Sequence, residues 1–137
     1  MTDTMNIEVD ATCITEILLD LNFDRLPSAS VRGNSRLHHI PKALATKAEL
    51  EFGVLVGMQV IAKAPKIQFP MVATGIVIVA HSIRPIDGDN LLIGYKPFVD
   101  GLVRAGVLKD DAFIKSWSIE LLKGKPHTDM KIRGWSG

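Results

Sequence analysis

The run Met71–Ala80, MVATGIVIVA, constrains this chain more than any other stretch. Its apolar residues are almost unbroken and rich in β-branched side chains, which suits a strand buried on both faces and so requires other layers around it. At ten residues it falls well short of the roughly 20 that a helix needs to cross a bilayer. The polar N-terminus predicts no signal peptide, and a single cysteine, Cys13, excludes an internal disulfide framework and suits the cytosol. A chain of 137 residues, 47% hydrophobic and 23% charged, has the material for one ordinary globular domain spanning residues 1–137.

The chemistry lies just beyond that run. Arg84–Asp111 reads RPIDGDNLLIGYKPFVDGLVRAGVLKDD, with Asp87, Gly88, Asp89 and Asn90 where the chain must turn. Leu91, Tyr95, Phe98, Leu102 and Ala105 then recur at spacings of 4, 3, 4 and 3, which predicts a helix ended by Gly106 in the left-handed conformation. Asp110 and Asp111 come next. Carboxylates a few ångströms apart raise each other's pKa and strain the fold, a conflict that a hard cation removes. With no Cys or His in the group the ligands are all oxygen, favouring Mg²⁺, with Mn²⁺ as its substitute, over Zn²⁺. An EF-hand does not fit, because Leu91 and Leu92 would fall on positions 5 and 6 of that loop.

Lys96 belongs to the same reading. On one continuous helix, Asp89, Lys96 and Asp100 lie within about 60° of one face. Metal-bound carboxylates beside a lysine suit phosphodiester hydrolysis, where water must be activated and negative charge stabilised. Pro97 predicts a kink or a restarted helix at that point. A second reading stays open on residues alone: Asp-Gly is a favoured hairpin centre, with Ile83–Ile86 and Leu91–Tyr95 as paired strands. Asp110-Asp111 is equally a helix cap or a solvated loop, and Asp100 a helix-surface charge.

The rest of the chain supplies the scaffold. Residues 1–12 read as a tail, with 1–10 also readable as a short edge strand. Thr15–Asn22 alternates as a strand with one buried face. Residues 25–41 form a long polar, basic loop with Arg25, Arg32, Arg36, His38 and His39, and Lys42 just beyond. It is a candidate phosphate-contacting arm, or else a solvated loop. Pro41–Ala64 reads as the longest helix; Gly53 and Gly57, four apart, suggest close packing on the sheet, or across a dimer. Phe113–Leu122 and Met130–Arg133 read as a strand and its antiparallel return, joined by the basic turn Lys123-Gly124-Lys125-Pro126. The expectation is an α/β domain: a mixed sheet of about four strands, Thr15–Asn22, Met71–Ser82, Phe113–Leu122 and Met130–Arg133, packed with two main helices. A net charge of +1 is no nucleic-acid signature, so any DNA contact must come from local patches.

The pattern Asp87-x-Asp89-Asn90-Leu91, Lys96, Asp100-x-Leu102, Ala105-Gly106, Asp110-Asp111 resembles the core of the RusA-type Holliday-junction resolvases. The likeness covers about 25 residues in detail, and the order of elements follows it over most of the chain. It implies a RusA-like fold and a homodimeric, Mg²⁺-dependent endonuclease that resolves four-way DNA junctions by paired symmetric nicks in recombination and repair. Asp87, Asp89 and Asp111 would be the metal-holding catalytic carboxylates and Lys96 the catalytic lysine. Asn90, Asp100 and Asp110 would orient them. Arg84, Arg32, Arg36 and Lys42 would contact DNA. The family lysine lies four residues after the second aspartate, against seven here, a shift of roughly 4–5 Å along a helix. The resemblance also implies a phage or prophage setting, in the cytoplasm of a bacterial or phage-infected cell near the nucleoid, without membrane association. The alternatives are a phage nuclease cutting other branched DNA, a non-catalytic dimeric DNA-binding module of this fold, and an interaction protein in which DGDN is merely a turn.

Overall fold

The computed structural model describes residues 5–10, 16–27 and 39–136. Alternation in the sequence becomes sheet. Strand β1 is Met5–Asp10, β2 is Glu16–Phe23, β3 is Val72–Ser82, β4 is Ser116–Lys123 and β5 is His127–Trp135. Helix α1 is His39–Lys63 and helix α2 is Gly88–Ala105. The strands lie in the order β1-β2-β5-β3-β4. β3 and β4 are parallel, and the other neighbours are antiparallel. The result is one α/β domain with a five-stranded mixed sheet and two helices.

The fifth strand is β1, where Ile7 and Val9 face Leu21 and Leu19 across the ladder and Ile7 is buried. β4 starts at Ser116 rather than Phe113, because Asp111–Phe113 wind a single 3-10 turn. The return strand β5 is longer than expected, since Thr128, Met130, Ile132 and Gly134 continue one buried row.

β3 departs from its expectation. It lies between β5 and β4, but only one face is packed: Ala73, Ile76, Ile78 and Ala80 are buried, whereas Val77 on the other face is 48% exposed. The apolar run reflects its central place in the sheet, not two covering layers. The open face also carries Lys131, Arg133 and Ser118, all exposed.

The two helices pack on one another above the buried face. The glycines of α1 meet α2 rather than the sheet or a second chain. A Cβ at Gly53 would run into the carbonyl oxygen of Phe98, and one at Gly101 into the carbonyl oxygen of Leu50 and, at 2.7 Å, Cα of Gly53. Only a glycine pair allows that approach. Phe23, Phe52 and Phe98 close the core beneath it, with ring centroids 5.2–5.5 Å apart.

α2 runs as one helix through Pro97, so it does not restart there. Burial of Leu91, Tyr95, Phe98, Val99 and Leu102 along its inner face outweighs the roughly 3 kcal/mol that an interior proline costs. Gly106 ends it at φ 91°, its N–H directed at the carbonyls of Leu102 and Val103. Among the described residues no helix is long and apolar enough to cross a membrane.

Candidate functional site

The chain leaves β3 at Ser82, crosses Ile83–Ile86 and enters α2 at Asp87. Asp87 is the cap: its Oδ1 accepts the Asp89 N–H at 2.9 Å, and its carbonyl accepts the Leu91 N–H at 2.9 Å. This is helix-start chemistry, so DGDN opens a helix and the hairpin reading falls. Asp87 and Asp89 are both exposed, at the helix end whose dipole favours negative charge. Asn90, beside them, is half-buried.

Two basic segments meet at Ser82, where the connector leaves β3. The Arg84 N–H donates to the Ser82 hydroxyl at 3.2 Å, and the Arg84 side chain stands in solvent. The Gly124 N–H donates to the Ser82 carbonyl at 3.2 Å, which ties the turn bearing Lys123 and Lys125 to the same connector. Open clefts of about 270 Å³ and 420 Å³ border it, the first lined by Arg84, Leu121 and Lys123, the second by Leu26, Arg84 and Pro126. The sequence favours reading the 123–126 turn as an ordinary solvated hairpin; the fold ties that turn to Ser82, at the end of β3, while the start of α2 lies over β4, where a Cβ at Gly88 would meet Ile119 at 3.7 Å.

The remaining carboxylates lie elsewhere along α2. Asp100 is eleven residues beyond Asp89, about 16 Å along a helix axis. Partial burial first, and then the Asp111 carboxylate, hold the Asp100 pKa above its ordinary value, against the pull of Lys96 and Arg104. Asp111 is therefore a neighbour of Asp100. Asp110 caps the 3-10 turn, accepting the Ala112 N–H at 3.0 Å, and this bond holds its pKa below the ordinary value.

A divalent cation finds suitable donors in Asp87 and Asp89, since Mg²⁺ is commonly held by one or two carboxylates with water and phosphate filling the other positions. The three-carboxylate set does not gather: among the described residues no group of three or more His, Cys, Asp or Glu side chains is placed to hold a metal ion. Asp87 and Asp89 open α2, whereas Asp111 lies beyond its other end, in the 3-10 turn; the continuous helix likewise carries Lys96 and Asp100 away from its own N-terminus.

The basic loop enters only through its ends. Arg32, Arg36, His38 and most of that loop lie outside the described residues. Lys42 is half-buried in the first turns of α1, its carbonyl accepting the Thr46 hydroxyl at 2.9 Å. Arg25 serves the fold. Its guanidinium pairs with Glu49 at 2.6 Å and sits 4.2 Å from the centroid of the Phe52 ring. Glu49 is 4% exposed, so the bridge compensates a buried charge.

A buried polar chain was not foreseen. The Thr128 hydroxyl donates to the Arg25 carbonyl at 2.7 Å, which leaves Tyr95 to donate to Thr128 at 2.7 Å. It links the middle of α2, through β5, to the root of the basic loop. Next to it, His127 Nδ1 lies 2.7 Å from Asp24 and Nε2 lies 3.3 Å from Asn22. The amphipathic spacing placed Tyr95 on the inner face; nothing local pointed to its partner 33 residues away.

No family model and no curated protein matches the chain. Among solved structures it is similar to thiamine monophosphate kinase from Aquifex aeolicus, at 13% identity over 87% of this chain and 33% of that one, with a TM-score of 0.36. It is likewise similar to AaThiL complexed with AMPPCP and TMP, at 14% identity over 94% of this chain and 35% of that one, with a TM-score of 0.36. The chain spans about a third of the length of these structures. Likeness at that level bears on neither fold nor activity.

Proposed function

We propose that the chain is a homodimeric, Mg²⁺-dependent endonuclease of the RusA type that resolves four-way DNA junctions by paired symmetric nicks, in recombination and repair. One feature carries the reading: two exposed carboxylates, Asp87 and Asp89, at the start of α2, on a connector that also carries the exposed Arg84. Negative donors for a cation and positive groups for phosphates are what phosphodiester hydrolysis needs at one place. In the chain they follow the carboxyl end of β3, across Ile83–Ile86.

Mg²⁺ or Mn²⁺ held there would polarise the scissile phosphate and lower the pKa of a bound water. The chain's own residues do the rest. Arg84, Lys123 and Lys125 hold backbone phosphates on either side of the scissile bond. The Asp89 N–H fixes the Asp87 carboxylate, and Asn90 orients the pair from the first turn of α2. Lys96 lies about 10 Å further along the helix and meets a more distant phosphate. Asp100 and Asp111 accompany it there. Two such sites related by a two-fold axis suit a near-symmetric junction, each nicking one strand. The resemblance puts this chemistry in the cytoplasm of a bacterial or phage-infected cell.

A second reading, a dimeric DNA-binding module of the same fold without catalysis, is favoured by the separation of Asp111 from Asp87 and Asp89. One experiment decides between them: an end-labelled four-way junction and a matching linear duplex are incubated with the protein, in Mg²⁺ or in chelator. Paired symmetric nicks on the junction alone, absent in chelator, are expected. Junction binding without cleavage in either Mg²⁺ or Mn²⁺ would establish the module instead.

A further inference from the structure

We propose that β4 is the dimer seam: two copies pair β4 edge to edge, antiparallel about a two-fold axis at Ile119, so that one sheet continues into the other. The seam deepens the homodimer of the proposed function and rests on it.

β4 is the last strand in the sheet and pairs only with β3. Its outer row of backbone N–H and C=O groups, over the eight residues Ser116–Lys123, meets no strand among the described residues. Proteins that leave an edge free usually blunt it with a proline, a bulge, charged side chains or a covering helix or loop. β4 has no proline, and its charges are Glu120 and the terminal Lys123. Its inward row is Trp117, Ile119 and Leu121, which stand opposite Ile76, Ile78 and Ala80 and remain only half-buried. The outward row is Ser116, Ser118, Glu120 and Leu122, all exposed.

Symmetry narrows the partner to a second copy in one register. If both sheets are to present their helix-covered faces to the same side, residues opposite one another must come from the same face, so the axis passes at a residue and not between two. At Ile119, the seven residues Ser116–Leu122 pair. Trp117 then faces Leu121 of the partner subunit, an aromatic–aliphatic pair, and Ser118 faces Glu120 of the partner subunit, a hydroxyl donor against a carboxylate. One residue further on, Glu120 would face its own copy, a like-charge pair that disfavours the register. One residue back, only Ser116–Glu120 overlap. Apolar match, charge and overlap agree on Ile119. The seam would set the two α2 helices on one side of a continuous sheet, running in opposite directions.

The test is sedimentation equilibrium of the full chain beside two variants at exposed positions. Ser118→Glu sets glutamate against Glu120 of the partner subunit twice by symmetry and should weaken the dimer roughly tenfold, with the thermal melt of each subunit's fold unchanged. Adding Glu120→Lys to the same chain turns both contacts into opposite-charge pairs and should restore wild-type dimerisation. A dimer indifferent to Ser118→Glu, or a double variant as weak as the single, would overturn the seam while leaving a dimer formed elsewhere. A monomeric wild type would overturn both the seam and the homodimer of the proposed function.

Discussion

The exposed face of α2 has two unlike ends. At its start the Asp89 N–H holds the Asp87 carboxylate, and the connector before it carries Arg84, whose N–H is tied to the Ser82 hydroxyl. Further along, Lys96, Asp100 and Asp111 form a second group with no built support beyond the Asp110 cap. The inner face shows no such division: Leu91, Tyr95, Phe98, Val99 and Leu102 form one buried row. Charge alone does not distinguish the two ends. What does is the helix start itself, where Asp87 and Asp89 stand two residues apart behind Arg84, so the first end can hold a cation against a phosphate and the second is left as a companion.

Substitutions at the two ends should differ most in activity. Asp89→Asn should reduce junction nicking at least 100-fold, while Asp111→Asn should cost on the order of tenfold, both read in single-turnover assays. Equal losses would mean that the two ends act as one site. Next in size is a change behind the face: Gly101→Val drives side-chain atoms into the backbone of α1 and should destabilise by about 3 kcal/mol, seen as a lower melting temperature. Tyr95→Phe removes the donor to buried Thr128 and should cost about 1–2 kcal/mol in urea titration; no loss would show that the polar chain does not brace α2.

Smaller effects separate the two ends by charge. Arg84→Ala should lower the slope of log K against log salt by about 1 in junction binding, whereas Arg104→Ala, beside Asp100, should leave it unchanged. Asp100→Asn should slightly stabilise the fold at pH 7. The Asp100 pKa is raised in the folded chain, so folding favours its protonated form, and stability falls as pH rises above the ordinary value until the loss is complete above the folded one. The gain should vanish below the ordinary value of 3.8, where both states are protonated, and calorimetry at the two pH values would show it.

Features set by local chemistry were legible in the sequence. Gly106 as the end of α2, Asp89 in its first turn and the alternation of β2 all follow from a few adjacent residues. What failed depended on distant partners. Met71–Ala80 is apolar enough for two covered faces, but whether a second layer exists is decided by other elements, and both helices lie on one side. Gly53 and Gly57 announced a close approach without naming α2 as its object. Arg25 looked like a phosphate contact because its partner Glu49 lies 24 residues away. Pro97 suggested a break, yet the buried row on either side carries the helix through it, and that continuity sets Asp100 and Asp111 apart from Asp89.

The central claim is that the start of α2 holds a divalent cation through Asp87 and Asp89. Electron paramagnetic resonance titration with Mn²⁺, comparing the wild type, Asp89→Asn and Asp111→Asn, tests it without reference to any substrate. One site per chain is predicted in the wild type, lost in Asp89→Asn and retained in Asp111→Asn. Unchanged Mn²⁺ binding by Asp89→Asn, or none by the wild type, would contradict it.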